Sequence, residues 1–241
     1  MEKAEIKLTQ DEFIFLAKVC EEAELHEDMV KFMKSAVMTN PKLSLEQRNL
    51  LSTSYKTLLK VKQASWGRLA SIRDREEDTD TNPLIYQMQK QIEYEIEEIC
   101  TELVTLIEEL LRANQSPADQ VFFYKMKGDF CSLWSETADG DFQIILLEIS
   151  KNAYKLAEEQ CDLYMHPCNP IRLGMKYSQC EFMYEVLDEK HEALRKCQRT
   201  FYEAIDLIEE VSEADYKEAS SILQLMRSEI GNWSLFAESN D

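Results

Sequence analysis

Glycine and proline are scarce, five of each in 241 residues. Sandwiches and barrels need frequent tight turns, and those turns draw on both residues. Such folds are therefore excluded. Positive charge is also in deficit: 27 Lys and Arg stand against 46 Asp and Glu, for a formal net charge of −19. A nucleic-acid binder needs a basic footprint on the phosphate backbone, and an anionic membrane surface makes the same demand. Neither partner is expected. No apolar run approaches the length of about 18 residues that a membrane span requires. The opening Met1-Glu2-Lys3-Ala4-Glu5 is charged and has no apolar core of a secretory signal. The seven cysteines are odd in number and scattered, without a C-x-x-C pair. They read as reduced, mostly buried thiols, and the expected location is the cytoplasm.

Catalytic motifs are missing as well. Gly67, Gly128, Gly140, Gly174 and Gly231 lie too far apart for a phosphate-cradling loop. The three histidines, His26, His166 and His191, follow Ala23, Leu163 and Asp188 at the third position before them, so no di-iron E-x-x-H pair exists. Cys161, His166 and Cys168 form a loose cluster, but zinc needs four placed ligands and nothing supplies the fourth. The acidic run Glu93 to Glu98 reads as a solvated helix face. The chain is thus expected to be no enzyme and to carry no cofactor and no metal.

What is present is helix, repeated. Asp11 to Cys20 and His26 to Met38 read as two helices, the second stopped near Asn40-Pro41. Ser44 with Gln47 forms a capping box that opens a third, running to about Arg73. A polar loop spans 75–82, and Asn82-Pro83 starts a fourth. Along it Ile85, Met88, Ile92, Ile96, Ile99, Leu103, Leu106 and Leu110 recur at steps of three and four, the plainest 3.6-residue stripe in the chain. Ser116-Pro117 begins a fifth, Asp139-Gly140-Asp141 precedes a sixth, and the run His166 to Pro170 breaks the chain before a seventh that reaches about Val186. An eighth carries Leu194 to Ile208, and Ser212 caps a ninth. No Gly/Ser linker divides the chain. The expected architecture is all-α, nine antiparallel helices in one domain over residues 1–236, with a short tail at 237–241.

Two segments are more specific. Arg48-Asn49-Leu50-Leu51-Ser52-Thr53-Ser54-Tyr55-Lys56, and Tyr216 to Arg227 continuing to Trp233, resemble the two signature sequences of the 14-3-3 family. Phe122 to Asp129 and Asn169 to Gly174 agree in order and spacing. The resemblance runs from about Phe15 to Trp233. It implies a cup-shaped, usually dimeric adapter with an amphipathic groove for phosphoserine or phosphothreonine peptides. It also implies a phosphate pocket with a Lys and an Arg on the third helix and an Arg-Tyr pair on the fifth. Arginine forks make charge-assisted bonds to phosphate oxygens, which gives such a pocket its selectivity.

At those four positions this chain has Lys56, Gln63, Ser132 and Leu133. Both arginines and the tyrosine are missing. The family's groove asparagines align with Ser178 and Glu229, and an apolar groove position aligns with Glu181. Groove positions that persist include Glu185, Leu225 and Trp233. Lys60, one turn from Lys56, and Lys125 read either as solvated lysines or, with Lys56, as a looser cationic patch. The resemblance puts the dimer face at Val19, Ala23, Ser65, Leu69, Ile72 and Met88. Two of its interchain ion pairs look broken, because Gln91 stands opposite Asp28 and Leu25 opposite Glu95.

The expected function is a protein-binding adapter with a compromised phosphopeptide pocket, forming a homodimer or a heterodimer with another 14-3-3 chain. Two alternatives stay open. One is a working phosphopeptide reader that uses the lysine patch. The other is a subunit that dimerises with a typical family member and disables one groove.

Overall fold

The computed structural model describes residues 8–75, 82–114 and 116–238, with side chains to 235. Among the described residues there are nine α-helices and no strand. The chain divides into two compact units after Asn114.

The first unit holds α1 (Gln10–Glu22), α2 (His26–Thr39), α3 (Leu45–Arg75) and α4 (Asn82–Ala113). Its helix starts are written locally. The Thr9 hydroxyl accepts the Glu12 amide while the Glu12 carboxylate takes the Thr9 amide at 2.7 Å, a second capping box that the sequence reading passed over. Ser44 and Gln47 exchange the same pair of bonds ahead of α3. Packing of α1 on α2, α2 on α3 and α3 on α4 buries Ala17, Met33, Leu51, Tyr55, Leu59, Cys100, Leu103 and Ile107. One polar fastening crosses this core. The Glu102 carboxylate on α4 receives the Tyr55 hydroxyl at 2.8 Å and the Lys34 ammonium at 2.5 Å, tying three helices together. The α4 stripe is helical as expected, but its cover is uneven: Ile96, Leu103, Leu106 and Leu110 are buried, Ile85, Ile92 and Ile99 are half-buried, and Met88 is exposed. Of the expected loop at 75–82, Arg75 belongs to α3 and Asn82 to α4, and residues 76–81 lie outside the described residues.

The second unit holds α5 (Pro117–Ser135), α6 (Gly140–Tyr164), α7 (Pro170–Glu181), α8 (Lys190–Ile205) and α9 (Glu213–Glu238). Ser116 caps α5, and Asn169 caps α7 through bonds to the Ile171 and Arg172 amides. Ser212 accepts the Asp215 amide ahead of α9. α5 and α6 pack closely because Gly128 has no side chain: a Cβ there would meet the Tyr154 ring at 3.0 Å. Ser150 uses the same gap to donate to the Gly128 carbonyl at 2.8 Å.

Three boundaries differ from the sequence reading. α7 stops at Glu181, and Phe182–Val186 continues as a π-helix. Asp188 then turns the chain with φ 57°, in the left-handed region. Ile208 is not in α8 but in a 3-10 turn, Ile208–Glu210. α9 runs to Glu238, two residues into the segment read as tail, and 239–241 lie outside the described residues.

Between α6, α7 and α8 the second unit encloses a charged hub. The Glu158 carboxylate receives Lys176 at 2.6 Å, Lys196 at 2.7 Å and the Gln179 amide at 3.0 Å. Lys176 is also 2.9 Å from Asp162, which in turn pairs with Arg172 at 3.2 Å.

Candidate functional site

The positions singled out in the sequence fall on both units, and each half is described in its own unit. On α3, Lys56 and Lys60 point to solvent one turn apart, directly after the buried Tyr55. Gln63 is half-buried two turns beyond Lys56. Its neighbour Lys62 is held by Glu95 at 2.9 Å and Glu27 at 3.4 Å.

In the second unit Ser132 is buried on α5, where its carbonyl accepts the Ser135 hydroxyl at 2.7 Å, and Leu133 is half-buried. Lys125, on the same helix, is bound to Asp129 at 2.6 Å. The other oxygen of Asp129 takes the Tyr154 hydroxyl at 2.6 Å. The lysine is therefore neutralised within its own helix.

Around this pair the structure gathers more carboxylates. Glu181, at the end of α7, is half-buried. Burial raises its pKa, a hydrogen bond from the Tyr177 hydroxyl lowers it, and the charges of Glu229 and Asp129 raise it again. The net direction is upward. Tyr177 is correspondingly raised, first by burial and then by donating to Glu181. Glu181 on α7 thus feels the charges of Lys125 and Asp129 on α5 and of Glu229 on α9. Tyr177, Asp129 and Tyr154 were missed in the sequence. The first two were legible as i,i+4 partners of Glu181 and Lys125.

The remaining groove positions lie on the same helices or next to them. Ser178 is half-buried on α7 and Glu185 is exposed in the π-helical segment. Leu225 is exposed on α9, one turn before Glu229. Trp233 is buried and stacks on Tyr184, with ring centroids 4.3 Å apart and planes at 9°. Lys190 covers the Tyr184 ring at 5.9 Å.

The dimer-face positions all lie on the first unit. Val19, Ile72 and Met88 are 45%, 40% and 59% exposed, so they are not core residues of their own unit. Ala23 is also exposed, and Ser65 and Leu69 are half-buried. The two carboxylates whose interchain partners are missing have partners within the chain: Asp28 binds Lys31 at 2.9 Å and Glu95 binds Lys62.

The loose Cys161, His166 and Cys168 cluster is taken up by the backbone. Cys161 donates to the Glu158 carbonyl, Cys168 donates to the Ala204 carbonyl at 3.1 Å, and His166 Nδ1 accepts the Cys168 amide. Among the described residues no group of three or more Cys, His, Asp or Glu side chains is arranged to hold a metal ion, and no helix is long and apolar enough to cross a membrane.

Known sequences agree with this picture. The profile of the 14-3-3 protein family matches residues 16–234. The checkpoint signal transducer rad25 of Schizosaccharomyces pombe is 36% identical over 96% of this chain and 87% of its own length. The 14-3-3-like protein C of Glycine max is 34% identical over 93% of this chain and 88% of its own. The 14-3-3 protein homolog of Candida albicans is 32% identical over 95% and 89% respectively. With nine helices in the expected order and both signature segments in their places, the chain belongs to the 14-3-3 family of non-enzymatic, protein-binding signalling adapters.

Proposed function

We propose that this chain is a 14-3-3 adapter that recognises its clients without a phosphate requirement. The observation that carries this reading is the set Gln63, Ser132 and Leu133 where the family has Arg, Arg and Tyr. Lys56 alone persists at those positions. The environment on the second unit supports the same reading. Lys125 is bound to Asp129 and interacts with the charge of Glu181, which in turn feels that of Glu229. A dianionic phosphate gains nothing from carboxylates, whereas a neutral or basic segment does not suffer from them. The reading as a lysine-patch phosphopeptide reader is weakened by the same ion pair, since a lysine committed to Asp129 is a poor phosphate donor.

The test is calorimetric titration with a consensus 14-3-3 phosphoserine peptide and its unphosphorylated twin. Equal binding of both, or binding of neither, is expected. Micromolar affinity for the phosphorylated form alone would reverse the reading.

We further propose that the chain dimerises through Val19, Ala23, Ser65, Leu69, Ile72 and Met88, with itself or with another 14-3-3 chain, and so also acts as a modulating partner subunit. The exposed apolar side chains support this, because such residues are costly to leave in water at about 25 cal/mol per Å². Sedimentation at tens of micromolar is expected to show a species of twice 28.2 kDa, and Met88→Glu is expected to dissociate it. A wild-type chain that sediments only as the monomer would refute the dimer. The cytoplasm is the proposed location, supported by seven free cysteines.

A further inference from the structure

The chain leaves α5 through Asp139 and Gly140, the latter with φ 56°. The first two turns of α6 then bury Leu146 and no other residue. Asp141, Ile144, Ile145 and Glu148 stand at i, i+3, i+4 and i+7, so they form one stripe along the helix. All four are exposed, Ile144 at 59% and Ile145 at 52%. A solvated helix face carries polar residues throughout, and this one has an apolar centre. Phe142, at 40%, widens that centre. Its ring sits edge to face on Trp134 of α5, with centroids 5.2 Å apart. The Gln143 amide fastens the same corner by donating to the Ser135 carbonyl at 3.0 Å. The patch is therefore held by both helices.

The charge around it has one sign. Between Lys127 and Lys151 the chain has no basic residue, while Glu136, Asp139, Asp141 and Glu148 are all exposed. Lys151 lies 3.3 Å from Glu148, beyond the stripe. A second copy is a poor cover, because it would lay the same carboxylates over these. An anionic lipid surface is repelled in the same way. An extended segment finds no sheet edge to pair with, since the described residues contain no strand. A helix satisfies its own backbone and packs its side-chain ridges into the grooves of α6.

We propose that the first two turns of α6, with Trp134, are a docking surface for a basic amphipathic helix of another protein. The apolar centre of that helix covers Ile144, Ile145 and Phe142. Its Lys or Arg side chains, one turn to either side, meet Asp141 and Glu148. None of the groove positions lies on α6, so the inference stands apart from how the groove treats phosphate.

The test titrates the full chain calorimetrically with a helical peptide of leucines bracketed by lysines, and with a scrambled peptide of the same composition. The ordered peptide should bind and the scrambled one should not. Ile144→Ser with Ile145→Ser should weaken binding roughly tenfold or more, since it removes the apolar centre and keeps every charge. Asp141→Asn with Glu148→Gln should weaken it roughly threefold at low ionic strength and less as salt is added. Leu163→Ser with Tyr164→Ser, an exposed pair at the other end of α6, should leave it unchanged. A benzophenone on the apolar face of the peptide should cross-link the wild-type chain within residues 134–148, which needs no variant to fold. Equal binding of the scrambled peptide would mean attraction to acidic charge alone and would overturn the proposal. So would an unchanged affinity in the isoleucine variant, or cross-links confined to groove positions. Self-association of the wild-type chain that the isoleucine variant abolishes would assign the surface to a second copy instead.

Discussion

Returning arginine to positions 63 and 132 and tyrosine to 133 should give this chain a preference of roughly 10²–10⁴-fold for a phosphoserine peptide over its unphosphorylated twin. The size follows from two guanidinium contacts. A hydrogen bond to a charged group contributes about 1.5–3 kcal/mol, so two contribute about 3–6 kcal/mol if they act independently. Each 1.4 kcal/mol is about a factor of ten. The tyrosine hydroxyl adds a smaller increment. Gln63→Arg alone should recover less than half of the gain, because the other fork is still absent. The Ser132→Arg change starts from a buried position, so its stem must run along α5 before the guanidinium reaches water. Circular dichroism therefore accompanies the titration, to establish that the helices persist. A folded triple variant that still ignores phosphate would mean that the carboxylates at Glu181 and Glu229, not the missing arginines, govern the altered specificity.

Glu158→Gln should lower stability by about 3–5 kcal/mol, the penalty for breaking a buried ion pair and stranding its partners. For a chain of this size that is a fall in melting temperature of roughly 6–20 °C. Lys176 is the partner that suffers most, with only 4% of its side chain exposed, although Asp162 still serves it at 2.9 Å. The pH dependence gives an independent readout. Burial pushes the Glu158 carboxyl up, but hydrogen bonds from Lys176, Lys196 and Gln179 outweigh it and hold the group at about 2. The unfolded carboxyl titrates near 4.3. A depressed folded value stabilises above the unfolded pKa and is lost as pH falls from about 5 towards 2. Wild-type melting temperatures should therefore drop steeply across that window, and the drop should be shallower in Glu158→Gln. Parallel curves for the two proteins would show that Glu158 is not the linked group.

Much of the fold is legible in the sequence because helix starts are local events. Ser44 with Gln47, Ser116 with Pro117 and Asn169 with Pro170 carry their meaning within four residues. Helix ends carry less. Nothing near Glu181 announces a π-helix, because an i+5 bond is chosen by what the segment packs against, here Tyr184 on Trp233. Periodicity also has a limit. It aligns Met88 with Ile96 on one stripe, yet only Ile96 finds a cover within its unit. At the candidate site the loss of arginine is plain from the residues alone. Its electrostatic setting is less so. Lys125–Asp129 is an i,i+4 pair and readable, whereas the approach of Glu229 to Glu181 joins α9 to α7 and leaves no local trace.

The stacking of Trp233 on Tyr184 has an optical consequence. The chain has three tryptophans: Trp66 alone in the first unit, and Trp134 and Trp233 in the second. The indole of Trp66 is tied to Glu93 at 2.9 Å, Trp134 meets Phe142 edge to face, and Trp233 lies under Tyr184. Each fluorophore thus reports a different neighbourhood. With Trp134 and Trp233 changed to phenylalanine, emission comes only from the first unit. With Trp66 changed, it comes only from the second. Intrinsic fluorescence can then follow, without any added label, whether the two units melt together or one after the other.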